Sequence, residues 1–162
     1  MIKLATAHSY QLNILRYNLR RFRQSFIVQS SIERVWHFYT DVRHLEIITP
    51  KQMDLKIIST TSQNIVQGQE IWVSGKIFEA MKIRRAFTWH SKITFLKEYE
   101  YIDEMLEGPF KKWRHLHQFH IVDGKQTEII DEIEFELQYG YGLSYLKAML
   151  TNNYKIHLNI EK

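Results

Sequence analysis

From Met53 to Gln138 polar and apolar residues alternate with a period of two, and turn residues cut the alternation into short lengths. A strand sends successive side chains to opposite faces, so this is the pattern of an antiparallel sheet with one wet and one buried face. The lengths run over about 53–59, 69–78, 83–95, 98–106, 111–122 and 126–138. Gly68, Gly108-Pro109 and Asp123-Gly124 punctuate them, and the last pair is a hairpin signal. Upstream, Phe22, Gln24, Phe26 and Val28 alternate as a further strand, and Ser30-Ser31-Ile32-Glu33 reads as a capping box before Val35, Trp36, Phe38 and Tyr39. A second short helical run, Val42 to Ile48, stops at Thr49-Pro50, because the residue before proline is pushed out of the helical region. Downstream, Leu143, Leu146, Met149, Leu150, Asn153, His157 and Ile160 recur at helical spacing. The predicted class is α+β: a seven-stranded antiparallel sheet wrapped around a long C-terminal helix, with two short helices between strands 1 and 2.

At 162 residues, 44% hydrophobic and 14% aromatic, the chain has material for one core. The expected organisation is a basic N-terminal extension over 1–20 and a single domain over 21–162. The absence of cysteine rules out disulfides and thiol catalysis, and with no long apolar run or secretory signal the expected location is cytoplasmic. Of the 22 Lys and Arg, five (Lys3, Arg16, Arg20, Arg21 and Arg23) precede the first carboxylate, Glu33. The +4 net charge therefore has a local origin, and the rest of the chain is close to neutral. That distribution argues against a nucleic-acid partner, which calls for a basic stripe on the folded face. Leu12, Leu15, Leu19 and Phe22 have helix-like spacing among arginines, which suits an amphipathic helix touching an anionic membrane or a frayed extension.

The chemistry concentrates in two strands. Trp113, His115, His117 and Phe119 share one parity, which sets two imidazoles on one face among aromatics. On the last strand Glu128, Glu132, Glu134 and Glu136 share the wet face, which leaves Asp131 inward beside Ile129, Ile133 and Phe135. A carboxylate there is costly unless paired, and His115 or His117 is the nearest partner by hairpin pairing. Asp103 repeats the anomaly, inward with Tyr101 and Met105. Trp89, Tyr101, Asp103, Met105, Trp113, His115, His117, Phe119, Asp131 and Phe135 are the candidate ligand-binding residues. His117, His115 and Asp131 are the candidate catalytic ones, with His117 as general base, the other two orienting it, and Asp103 or Tyr101 polarising a carbonyl. A His-x-His pair on one strand face could ligate a metal, but no spacing motif supplies a third ligand, so no metal is expected, and no cofactor. A self-satisfied polar network and an orienting site in a ligand pocket both fit the pattern.

The series Phe26, Ile32, Val35-Trp36, Asp41, Thr49-Pro50, Gly68, Trp89, Ile93, Tyr101-Ile102-Asp103, Gly108-Pro109-Phe110, Trp113, His115, His117, Phe119, Thr127, Asp131 and Phe135 resembles the START/SRPBCC superfamily. It looks most like the small cyclase/dehydrase-like ligand-binding members. The resemblance covers about residues 22–160, and its most specific part is the segment from Gly108 to Phe119. It implies a helix-grip fold around a hydrophobic cavity, and a small hydrophobic or amphipathic partner such as a lipid, quinone or polyketide. A cyclase/dehydratase-type enzyme is the alternative. Oligomeric state cannot be read from the residues.

Overall fold

The computed structural model describes residues 3–14, 19–49, 53–78 and 84–137. Eight strands form one antiparallel sheet: β1 (Lys3–Ile14), β2 (Leu19–Gln29), β3 (Lys56–Thr60), β4 (Glu70–Phe78), β5 (Arg84–Lys97), β6 (Glu100–Glu107), β7 (Phe110–Asp123) and β8 (Gln126–Leu137). Their order is β1-β2-β8-β7-β6-β5-β4-β3. Each neighbouring pair is consecutive in sequence except β2 with β8. The chain passes from β2 to the far edge through α1 (Ile32–Tyr39), a tight helical turn at Val42–His44, and α2 (Leu45–Ile48). The seven predicted strands and both short helices are present among the described residues. The predicted C-terminal helix lies outside them.

One further strand corrects the sequence reading. Residues 3–14 are not helical: they form β1, in which Leu12 is the register partner of Phe22 on β2. Leu19 and Phe22, assigned to the same helix, belong to β2, and Leu15 lies outside the described residues. Pairing gives a polar, β-prone segment a ladder of hydrogen bonds, whereas a short isolated helix is marginal in water. Arg21 and Arg23 of β2 meet the wet face of β8, where Arg21 contacts Glu134 at 2.6 Å and Glu132 at 3.3 Å. The predicted capping box is also absent: Ser31 stands at the N-cap of α1 without a side-chain cap. The other end is secured by Thr40, whose hydroxyl donates to the Trp36 carbonyl at 2.8 Å.

The apolar face of the sheet carries two separate clusters. At one end Phe26, Val28, Phe119, Ile129 and Tyr101 pack beneath Ile32, Val35 and Tyr39 of α1. At the other, Phe110, Trp113, Ile133 and Phe135 pack together, with Phe22, Trp89 and Met105 against them. A smaller group, Val42, Ile71 and Val73, lies under the tight turn on the β4 side. Thr127, fully buried, ties the start of β8 to the end of β2 by donating to the Ser30 carbonyl at 2.8 Å. No described helix is long and apolar enough to cross a membrane. Phe135 has 0% exposure. Phe135→Ala should therefore cost about 3–5 kcal/mol, read as a lower urea midpoint at unchanged slope; a loss under about 1 kcal/mol would show that this cluster does not hold the sheet.

Candidate functional site

Two rungs of the sheet build the site. Across the first, Gln24 on β2 pairs with Asp131 on β8, Asp131 with His117 on β7, and His117 with Tyr101 on β6. Across the next, Phe22 pairs with Ile133, Ile133 with His115, His115 with Asp103, and Asp103 with Ile93. The Asp123-Gly124 hairpin sets the β7–β8 half of this register, and the Gly108-Pro109 turn connects β6 to β7. A shift of any one of these strands by one residue would turn its polar side chains to the other face of the sheet.

The cluster is tightly connected. His117 Nε2 donates to Asp103 Oδ2 at 3.1 Å, and His115 Nε2 donates to Asp131 Oδ1 at 3.2 Å. Gln24 Nε2 donates to the second oxygen of Asp131 at 3.0 Å. His117 Nδ1 lies 3.1 Å from Asp131 Oδ1, a charge contact off the line that a hydrogen bond needs, so that nitrogen is buried without a hydrogen bond. The two imidazoles stand 3.7 Å apart, and Tyr101 stacks on His117 at 4.2 Å. Gln24 and Asp131 are buried at 3% and 6% exposure, and His117 at 8%.

Burial alone would favour neutral forms, but the pairing reverses it. Desolvation works against a charged His117, yet the hydrogen bond to Asp103 and the Asp131 charge outweigh it and raise the imidazolium from 6.5 to about 9. Desolvation likewise works against an ionised Asp131, yet His115 and His117 hold its carboxyl well below the usual range. Burial, and after it the nearby carboxylate charge, pushes the Tyr39 and Tyr101 phenols well up, so both stay protonated. With no ion bound, the raised value favours the imidazolium at neutral pH, which makes His117 a proton donor there rather than the general base expected from the sequence.

The cluster opens on a cavity of about 200 Å³, whose apolar walls include Val42, Ile71, Val73, Phe87, Ile93 and Ile133. Of the residues singled out from sequence, Trp89, Tyr101, Asp103, Trp113, His115, His117 and Asp131 line it. Phe119, Phe135 and Met105 do not: Phe119 packs at the α1 end, while Phe135 and Met105 pack in the opposite cluster. Parity assigned them the right face, but position along the strand decides between solid core and cavity. The sequence reading left out Gln24, whose signal was a polar residue on the apolar parity of Phe22, Phe26 and Val28. It also left out the wall from the helical connection, where Phe38, Asp41, His44 and Leu45 face the cavity. Asp41 is already engaged, accepting from Arg43 Nη2 at 2.6 Å.

This architecture recurs in solved structures of low sequence identity. A START superfamily protein from Mycobacterium smegmatis aligns over 86% of this chain and 92% of its own, at 8% identity and TM-score 0.61. The Zhui aromatase/cyclase from a Streptomyces species aligns over 87% and 90%, at 18% identity and TM-score 0.62. The described residues share the fold of these START-superfamily and aromatase/cyclase structures. A norcoclaurine synthase from Thalictrum flavum, solved with a transition-state analogue, shares the fold at 14% identity and TM-score 0.58 over 89% and 97% of the two chains. No protein-family model matches the sequence, and neither does any curated protein.

His117 offers a direct test. A histidine with a raised folded pKa contributes stability that is whole below its unfolded value near 6.5 and is lost as pH rises through about 9. For this buried ring that amounts to on the order of 3 kcal/mol. Urea unfolding in EDTA from pH 6 to 10 should show the loss in the unmodified protein and not in His117→Gln; equal profiles would remove the charged pairing.

Proposed function

We propose that the protein binds a small hydrophobic or amphipathic molecule in the cavity, for carriage or sequestration. A lipid, quinone or aromatic polyketide has the required chemistry: an apolar body and one or two oxygens. One observation carries this reading. An apolar chamber converges on a single hydrogen-bonding patch, the arrangement that gives affinity from the walls and orientation from the polar end. The Tyr101 phenol, which stays protonated at the cavity wall, would donate to a ligand carbonyl or phenolate, and Trp89 and Trp113, edge to face at 5.0 Å, would offer an aromatic wall to a planar body. The fold neighbours include a START protein, an aromatase/cyclase and a synthase, which supports a cavity in use without choosing among cargoes.

A second reading draws on the same cluster. An imidazolium held between Asp103 and Asp131 at the cavity wall would be a proton source for the acid half of a cyclase- or dehydratase-type step, with the phenol of Tyr101 beside it. His117→Gln separates the two readings. A catalyst loses turnover while ligand affinity stays within about tenfold, roughly 1.4 kcal/mol; a binding protein loses affinity alone.

Ligand binding is tested by native mass spectrometry of freshly purified protein, paired with quenching of tryptophan fluorescence by a panel of lipids, quinones and polyketides. A bound organic mass, and quenching that saturates, are expected. Val73→Phe, which adds bulk to the wall, should weaken binding more than about tenfold while circular dichroism stays unchanged. A folded protein that carries no ligand and quenches with none of the panel would overturn the reading.

A further inference from the structure

The polar cluster has a geometry that hydrogen bonds alone do not complete. Asp103, His115 and His117 bring one donor atom each within 4.8 Å of one another. Asp103 Oδ2 lies 3.1 Å from His117 Nε2 and 3.7 Å from His115 Nδ1. Ligands held about 2.0–2.2 Å from a tetrahedral ion stand roughly 3.3 Å apart, so these separations bracket the edges of a coordination shell. The far sides of both rings turn to one acceptor: His115 Nε2 and His117 Nδ1 lie 3.2 and 3.1 Å from Asp131 Oδ1. Each imidazole thus has one nitrogen toward Asp103 and the other toward Asp131. That is how metal-ligating histidines are held, with an outer carboxylate fixing ring and tautomer. Gln24 fixes the outer carboxylate in turn.

Two atoms are left badly served without an ion. His115 donates from Nε2 to Asp131, and its Nδ1 stands 3.7 Å from the oxygen of Asp103, beyond hydrogen-bond reach. His117 Nδ1, meanwhile, is buried with no hydrogen bond. A cation between Asp103 and the two rings would fill the gap at His115 Nδ1 and displace the proton that His117 Nε2 otherwise donates to Asp103. It takes the lone pairs of His115 Nδ1 and His117 Nε2, and the single proton left on His117 then sits on Nδ1, beside Asp131.

We propose that Asp103, His115 and His117 bind one divalent first-row transition ion, supported by Asp131 and Gln24, with its remaining coordination position facing the cavity. Two nitrogens and one oxygen suit Zn²⁺ or Co²⁺ and not the all-oxygen shells of Mg²⁺ and Ca²⁺. A dication also matches the two carboxylate charges that the site encloses. The expectation of no metal rested on the lack of a third ligand at a motif spacing. That ligand comes instead from β6, through the Asp103–His115 register pair. The inference does not depend on the organic ligand, although a carbonyl entering the cavity would find the open position.

The test uses the full chain without an affinity tag, stripped with EDTA and titrated with Co²⁺ alone. Visible ligand-field bands should grow and saturate at one ion per chain. Asp103→Asn, His115→Gln and His117→Gln should each weaken binding by more than about 100-fold, and Asp131→Asn by roughly 10–100-fold, the usual cost of losing a supporting partner. His90→Gln, at the separate Glu70–His90–Lys92 surface cluster, should leave it unchanged. No bands, or bands that persist in the Asp103 and His117 variants, would overturn the proposal. Should the variants fail to fold, the unmodified protein still decides: Zn²⁺ must shift the ring resonances of His115 and His117, and unmoved resonances reject the site.

Discussion

A carboxylate buried on the inner face of β8 is the constraint around which this molecule is arranged. An ionised Asp131 without partners would cost several kcal/mol in that position. Its charge is tolerated because two neighbouring strands deliver donors or cations to it: Gln24 from β2, and His115 and His117 from β7. Each depends on register. The β2–β8 pairing is the one link in the sheet between strands distant in sequence, and the Gln24–Asp131 pair lies on it. The acid therefore acts as a specificity device as much as a functional group, since any slip leaves it buried and alone.

The same cluster accounts for the cavity. Along β7 the inward residues run Trp113, His115, His117, Phe119, and along β8 they run Ile129, Asp131, Ile133, Phe135. Apolar residues at the two ends pack into separate cores. The polar middle does not join them, and the chamber opens there, roofed by the helical connection between β2 and β3. Walls of Val, Ile and aromatic side chains then surround the polar patch.

Much of this was legible in the residues. Period-two alternation and the turn pairs placed seven strands, and a carboxylate on an apolar parity marked Asp131 and Asp103 as interior groups in need of partners. Four things were not. Parity gives a face but no depth, so Phe119, Phe135 and Met105 were grouped with the cavity although they pack at its ends. Metal-ligand motifs are spacings along one chain segment, and here the third donor arrives across the β6–β7 register. The N-terminal leucines fit a helical period as well as strands, and only the pairing of β1 with β2 decided between them. The protonation of His117, which turns a supposed base into a donor, follows from two carboxylates whose distances no sequence pattern contains.

The account joins fold and site through one energetic claim: Asp131 and His117 stabilise each other strongly enough to fix the register that shapes the cavity. A double-mutant cycle of Asp131→Asn and His117→Gln, followed by urea unfolding at pH 7, measures that coupling. The account predicts about 2 kcal/mol or more between the two side chains, and losses that add to within about 0.5 kcal/mol would contradict it.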